Sequence, residues 1–269
     1  MLARRADGVT PLSSPAVLDL NAHVLPGIHG GTPDLPAAVA AVRTLLAAGV
    51  TAAVAPAVVG GNVAHDIAAA DAARRDLTDA LAAADLPLVL LPGAVVPAER
   101  LPDLPPEVLS TCTAGGGGRW IVVTLPSPGW PLSLATTVDR LALSGLGVVI
   151  AHPERAESAQ MHADRLRDLI GRGALVQVAA GSLAGLHGAR AEHTAFDLLR
   201  NGMVTVVASD EPSDTRSALD LGAAAATLER VLRRPREEVA WMLATGPGQI
   251  VAGERVRPPR LVPMPRDPA

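Results

Sequence analysis

The chain has 269 residues, a length that suits one large α/β domain or two small ones. Hydrophobic residues make up 49%, enough for a sizeable core, and a net charge of −4 with interspersed signs excludes the basic stripe of a nucleic-acid binder. The single cysteine, Cys112, excludes an internal disulfide and a cysteine-rich zinc site, and fits a reducing cytoplasm.

Residues 1–16 read as a leader. Arg4 and Arg5 are followed by no apolar stretch, so this is not a secretory signal peptide. No apolar run approaches the ~18 residues of a membrane span, so direct insertion into a bilayer is not expected. From residue 17 onward, short continuous apolar runs alternate with amphipathic stretches. The runs at 17–20, 50–55, 87–91, 120–125, 147–151, 174–179 and 204–208 read as strands covered on both faces. The stretches at 35–48, 64–84, 132–143, 156–171, 191–201 and 215–233 carry apolar residues at helical spacing. Gly49, Gly145, Gly173 and Gly202 stand where helix C-caps belong. Residues 115–118 are four glycines and read as a flexible loop before a strand. Residues 254–269 form a Pro-rich tail, which leaves 17–253 as a single domain.

Seven strands alternating with helices imply a parallel sheet with right-handed crossovers. An open doubly wound sheet and a closed barrel both satisfy that pattern. Two features favour the barrel. No Gly-x-Gly-x-x-Gly turn follows the first strand, and polar residues gather after many different strands, where a barrel builds its active site.

Those strand ends supply the candidate site. His23 follows the first strand, His152 the fifth and Asp210 the seventh. Two imidazoles and a carboxylate can bind Zn²⁺, Mn²⁺ or Fe²⁺, and such an ion activates water near neutral pH. Without an ion, His152 and Asp210 remain as an acid–base pair. Arg155 and Arg216 suit an anion such as phosphate. Each residue also has an ordinary structural reading. A lone loop histidine is more often a hydrogen-bonding group. Asp210 can form an Asx-turn or cap the helix near Thr215, and the arginines can pair with Glu154 and Asp214. Placement of all of them at strand ends favours a shared pocket.

The segment Asp19-Leu-Asn-Ala-His-Val-Leu-Pro-Gly-Ile28 resembles the Asp-x-His-x-His-x-Leu-Pro-Gly-Ile opening of the PHP superfamily. More narrowly it is similar to the manganese-dependent tyrosine phosphatases of bacterial capsule and exopolysaccharide operons. Ala151-His-Pro-Glu-Arg155, Ala180-Gly-Ser-Leu183 and Ala208-Ser-Asp210 match further motifs of that family, in order, over residues 17 to 252. The resemblance implies a distorted (β/α)7 barrel with up to three metal ions at the strand ends. It implies arginines on the phosphate and, as partner, the Tyr-rich tail of a bacterial tyrosine autokinase. Related proteins can form rings, so an oligomer is compatible with the resemblance.

Several family positions are altered. Asn21 replaces the first His of the His-x-His pair, His29 and Gly30 stand where acidic residues belong, and Ala57 replaces a His. Val95 and Thr124 replace glutamates, and Pro212 replaces the final His. Two cations a few ångströms apart repel unless anionic ligands lie between them, and Thr124 removes the bridging carboxylate. What stays is His23, His152 and Asp210 for at most one Mn, Zn or Fe ion, helped by His29 or Asn21, with Arg155 and Arg216. The main expectation is a pseudo-phosphatase that binds a phosphorylated partner in exopolysaccharide regulation. The alternative is an active one-metal tyrosine phosphatase. A third reading, hydrolysis of a small phosphate ester such as histidinol phosphate, fits the Ala-Gly-Ser-Leu loop less well.

Overall fold

The computed structural model describes residues 17–127, 129–210, 221–231 and 233–257. Nine strands run in chain order: β1 Val17–Asp19, β2 Val50–Val54, β3 Ala57–Val58, β4 Val89–Leu91, β5 Ala94–Pro97, β6 Trp120–Thr124, β7 Gly147–Ala151, β8 Leu175–Ala179 and β9 Val206–Ala208. Every ladder is parallel. One sheet has the order β1-β2-β4 and the other β3-β5-β6-β7-β8-β9.

The two sheets share strand paths. β3 continues β2 and β5 continues β4, with Pro56 in one gap and Pro92-Gly93 in the other. Proline has no N–H to give a ladder, so the pairing pattern breaks there while the chain runs on. Backbone bonds bridge both gaps, from Ala55 N to Leu91 O at 3.0 Å and from Ala57 N to Gly93 O at 2.9 Å. The fold therefore follows seven parallel paths in sequence order, as the alternating pattern implies. Among the described residues no ladder joins β9 to β1, so the sheet is not a closed barrel of strand pairs. The two edges meet beyond their strands, where Asp210 N–H donates to Asn21 O at 3.0 Å.

Helices cover the outside: α1 Leu35–Ala47, α2 Val63–Ala83, α3 Pro106–Thr111, α4 Leu134–Leu143, α5 Glu157–Met161, α6 Ala163–Gly171, α7 Ala180–Leu183, α8 Ala189–Arg200, α9 Leu221–Arg230, α10 Arg236–Ala240 and α11 Gly246–Val251. Side chains of Asp34 and Asn62 cap α1 and α2, accepting from Ala37 N at 2.8 Å and His65 N at 3.1 Å. Leu45 of α1 and Leu77 of α2 join Leu141 and Ile150 in an outer core between helices and sheet. A second cluster lies within the curve of the strands. It includes Leu20, Val54, Val95, Val122, Val149, Ala151, Leu175, Val206 and Ala208. Alternation along each strand sends one set of side chains to each core.

Some elements differ from the sequence pattern. The helical stretch 156–171 is two helices broken at His162, which has φ −133° and ψ 60°. Of the stretch 215–233, α9 spans Leu221–Arg230, and residues 215–220 lie outside the described residues. Residues 236–251, not marked as a helix by the pattern, form α10 and α11 joined through a π-helical turn, Trp241–Thr245. The wider turn precedes Pro247, whose ring and missing N–H disrupt ordinary helical bonding. The glycines at 115–118 pack against the C-terminal segment. A Cβ on Gly117 would lie 2.4 Å from Val251 O, and one on Gly115 2.5 Å from Val251 Cβ. These glycines permit a close backbone approach.

Candidate functional site

Asp210 is the centre of the site. Its carboxylate is buried and lies just beyond β9. Asn21 Nδ2 donates to its Oδ1, and His23 Nε2 lies 3.7 Å from the same oxygen. On the other oxygen, Arg155 Nη1 donates at 3.2 Å and His152 Nε2 lies 3.5 Å away. The sequence-derived trio of His23, His152 and Asp210 thus converges, and Arg155 joins it. Arg216 and Pro212 lie outside the described residues. His29 is exposed and makes no polar contact with this cluster.

Electrostatics follow from burial and these neighbours. Burial alone would push the Asp210 carboxyl up, but His152, His23 and Arg155 outweigh it and hold the group below its ordinary range. Burial lowers His152, with Asp210 opposing and Arg155 and His23 adding to the shift. His152 is therefore largely neutral near pH 7, and Arg155 is a permanent cation beside Asp210. Both His152 and Asp210 sit in the left-handed backbone region, at φ 36° and 55°.

Two further buried carboxylates hold this arrangement in place. Asp19, at the end of β1, accepts from Asn21 N at 3.2 Å and Ser209 N at 3.1 Å, and from Ser209 Oγ. It ties the first strand to the last. Glu154, in the turn after β7, accepts from Ala179 N at 3.0 Å and Ser182 Oγ at 2.7 Å. Ser182 Oγ lies 2.9 Å from His187 Nδ1. Burial pushes the Glu154 carboxyl up to about 7, against the bonds from Ser182 and Ala179. The sequence marks Asp19, Ser209 and Ser182 only as members of the motifs, offers Glu154 only as an ion-pair partner for an arginine, and gives His187 no role. The available signal was an acid within three residues of a strand end in each of two motifs, with a serine in the matching loop.

The remaining strand ends are apolar or neutral. Ala57 and Val95 are buried, Val95 within the inner cluster, and Thr124 is half-buried at the end of β6. None offers a carboxylate or imidazole. Among the described residues, no group of three or more His, Cys, Asp or Glu has the geometry to hold a metal ion.

The fold and motifs agree with comparisons to known proteins. The family model for capsular polysaccharide synthesis proteins, CpsB/CapC, matches residues 17–251. Tyrosine-protein phosphatase YwqE of Bacillus subtilis (strain 168) is 28% identical over 197 residues, spanning 72% of this chain and 76% of that protein. A solved structure from work on YwqE of Bacillus subtilis and CpsB of Streptococcus pneumoniae, described as unique metal-dependent tyrosine phosphatases, superposes with a TM-score of 0.78 at 23% identity. That match covers 93% of this chain and all of the other. A D-hydantoinase structure shares the fold more distantly, with a TM-score of 0.51 at 14% identity over 87% of this chain and 70% of that one. With its family match over nearly the whole described length and the Ala-His-Pro-Glu-Arg turn in place, this chain belongs to the CpsB/CapC family of capsular polysaccharide synthesis.

Proposed function

We propose that this chain is a pseudo-phosphatase that binds a phosphotyrosine-bearing partner at the His23–His152–Arg155 face and does not hydrolyse it. One observation carries the reading. Asp210, the carboxylate a metal would need, has Asn21 Nδ2 on one oxygen and Arg155 Nη1 on the other. A cation there would have to displace an amide donor and a guanidinium. The donor set does not fit a metal cluster either, because Ala57, Val95 and Thr124 supply no anionic ligand between ions. Phosphomonoester hydrolysis has one of the highest uncatalysed barriers, and among the described residues the cluster holds no nucleophile to lower it.

The same groups suit an anion. A guanidinium offers bidentate donors to phosphate, and a neutral imidazole donates one N–H. The partner we assign is the Tyr-rich tail of a bacterial tyrosine autokinase, in keeping with the phosphatase names of the relatives. We place the protein in the cytoplasm. Among the described residues no helix is long and apolar enough to cross a membrane.

The test has two parts. Metal content is measured by mass spectrometry on untagged protein from manganese- and zinc-supplemented cells. A phosphotyrosine peptide is then assayed for binding and for phosphate release. The expected result is metal well below one equivalent, saturable binding and no turnover. About one equivalent of Mn, Fe or Zn, lost in His152→Ala and accompanied by phosphate release, would overturn it in favour of a one-metal phosphatase.

A further inference from the structure

A second pocket lies at the opposite end of the strands from Asp210. Its volume is about 490 Å³, within the range of small-molecule sites. Arg119 and Trp120 open β6, Leu175 opens β8, and Met203 and Thr205 lead into β9; Arg255 and Val256 close the side. A strand of five residues separates the two ends, a distance of about 16 Å.

The lining has a distinct chemistry. Trp120, Leu175, Met203 and Val256 give an apolar floor, and among the described residues no acidic one lines the pocket. Arg119 and Arg255 supply two positive charges in a chain whose net charge is −4. Neither is paired with a carboxylate among the described residues. The Arg119 guanidinium lies 5.7 Å from the Trp120 ring centroid, and its Nε is buried with no hydrogen-bond partner. With Nε enclosed, the terminal guanidinium nitrogens, which make no hydrogen bond among the described residues, are the donors open to an anionic oxygen. Trp120 is itself fixed, donating Nε1–H to Glu254 O at 2.8 Å, so the wall is built before any ligand arrives.

We infer that this pocket binds a small anion with an apolar body, its charged head between Arg119 and Arg255 and its body on the floor of Trp120, Leu175 and Met203. The ligand class is an organic phosphate, sulfonate or carboxylate attached to a ring or short hydrocarbon. This site is independent of the phosphotyrosine reading.

The probe is 2-naphthalenesulfonate, which no phosphatase can hydrolyse, titrated calorimetrically into the full chain. The expected result is one binding event, weakened at least tenfold in Arg119→Gln/Arg255→Gln and unchanged in Arg155→Gln. Neutral 2-naphthol should bind at least tenfold more weakly than the sulfonate. Arg255→Gln alone, at an exposed position, should weaken binding about threefold or more, and circular dichroism checks that each variant folds. Wild-type affinity in the folded arginine variants would overturn the inference. So would equal binding of 2-naphthol, or a loss confined to Arg155→Gln, which would place the anion at the Asp210 cluster.

Discussion

The strand ends divide into two halves that differ in what their side chains touch. Beyond β7, β8, β9 and β1, Glu154, Ser182, Ser209, Asp210, Asp19 and Asn21 are buried and joined by hydrogen bonds. At β3, β5 and β6, the corresponding positions are Ala57, Val95 and Thr124, where Val95 packs into the inner core. The polar half retains residues that bond to backbone as well as to each other, so their loss would leave buried donors unsatisfied. The apolar half offers no carboxylate or imidazole that could hold an ion. Alanine and valine at such positions bring no repulsion between neighbouring carboxylates and add packing. Scaffold and ligand roles can thus part company within one ring of loops.

The sharpest way to break this contrast is Asp19→Ala. It strands Ser209 N, Ser209 Oγ and Asn21 N, and should cost about 3–5 kcal/mol in urea unfolding. A loss below about 1 kcal/mol would remove the structural role assigned to the polar half.

Next in size is the pH dependence set by Glu154. The native state keeps its proton up to about 7, whereas the unfolded chain releases it near 4.5. Between those values the native state binds one more proton, so stability falls as pH rises. The loss reaches about 3 kcal/mol at most and is complete by about pH 8. Glu154→Gln keeps an acceptor for Ala179 and Ser182, and its curve should lack this fall, keeping only the slope of other shifted groups such as His152. Parallel curves for the two proteins would show that Glu154 ionises normally.

Arg155→Gln should weaken phosphotyrosine-peptide binding about tenfold, equivalent to about 1.4 kcal/mol, read by fluorescence polarisation. The smallest effect belongs to the apolar half. Thr124→Val should change stability by less than about 0.5 kcal/mol and leave peptide affinity unaltered, since the Thr124 hydroxyl has no hydrogen-bond partner among the described residues. A larger change in either would return Thr124 to the working site.

Much of this was legible in the sequence because it rests on periodic patterns. Continuous apolar runs gave the seven strand paths, and Gly49, Gly145, Gly173 and Gly202, all at positive φ, marked helix ends. Convergence of His23, His152 and Asp210 followed from their positions after strands, as did Arg155. The breaks at Pro56 and Pro92 were less visible, since β3 and β5 resume within one or two residues and are only two and four residues long. The helix break at His162 involves no proline or glycine, and propensity alone does not mark it. The roles of Asp19 and Glu154 were hidden for a different reason. Their partners Ser209 and Ser182 are 190 and 28 residues away, and long-range hydrogen bonds leave no period in a sequence.

The left-handed backbone at His152 and Asp210 has a consequence for how the protein can be improved. A non-glycine residue in that region costs about 1–3 kcal/mol, which glycine largely avoids. His152, whose imidazole makes no close hydrogen bond among the described residues beyond its 3.5 Å approach to Asp210, is the cleaner case. His152→Gly should therefore raise the melting temperature while weakening capture of the phosphopeptide. A random library sorted for heat resistance alone would drift toward glycine at 152, and one sorted for partner capture would hold histidine there. The two selections, run side by side, would report whether this turn is kept for endurance or for use.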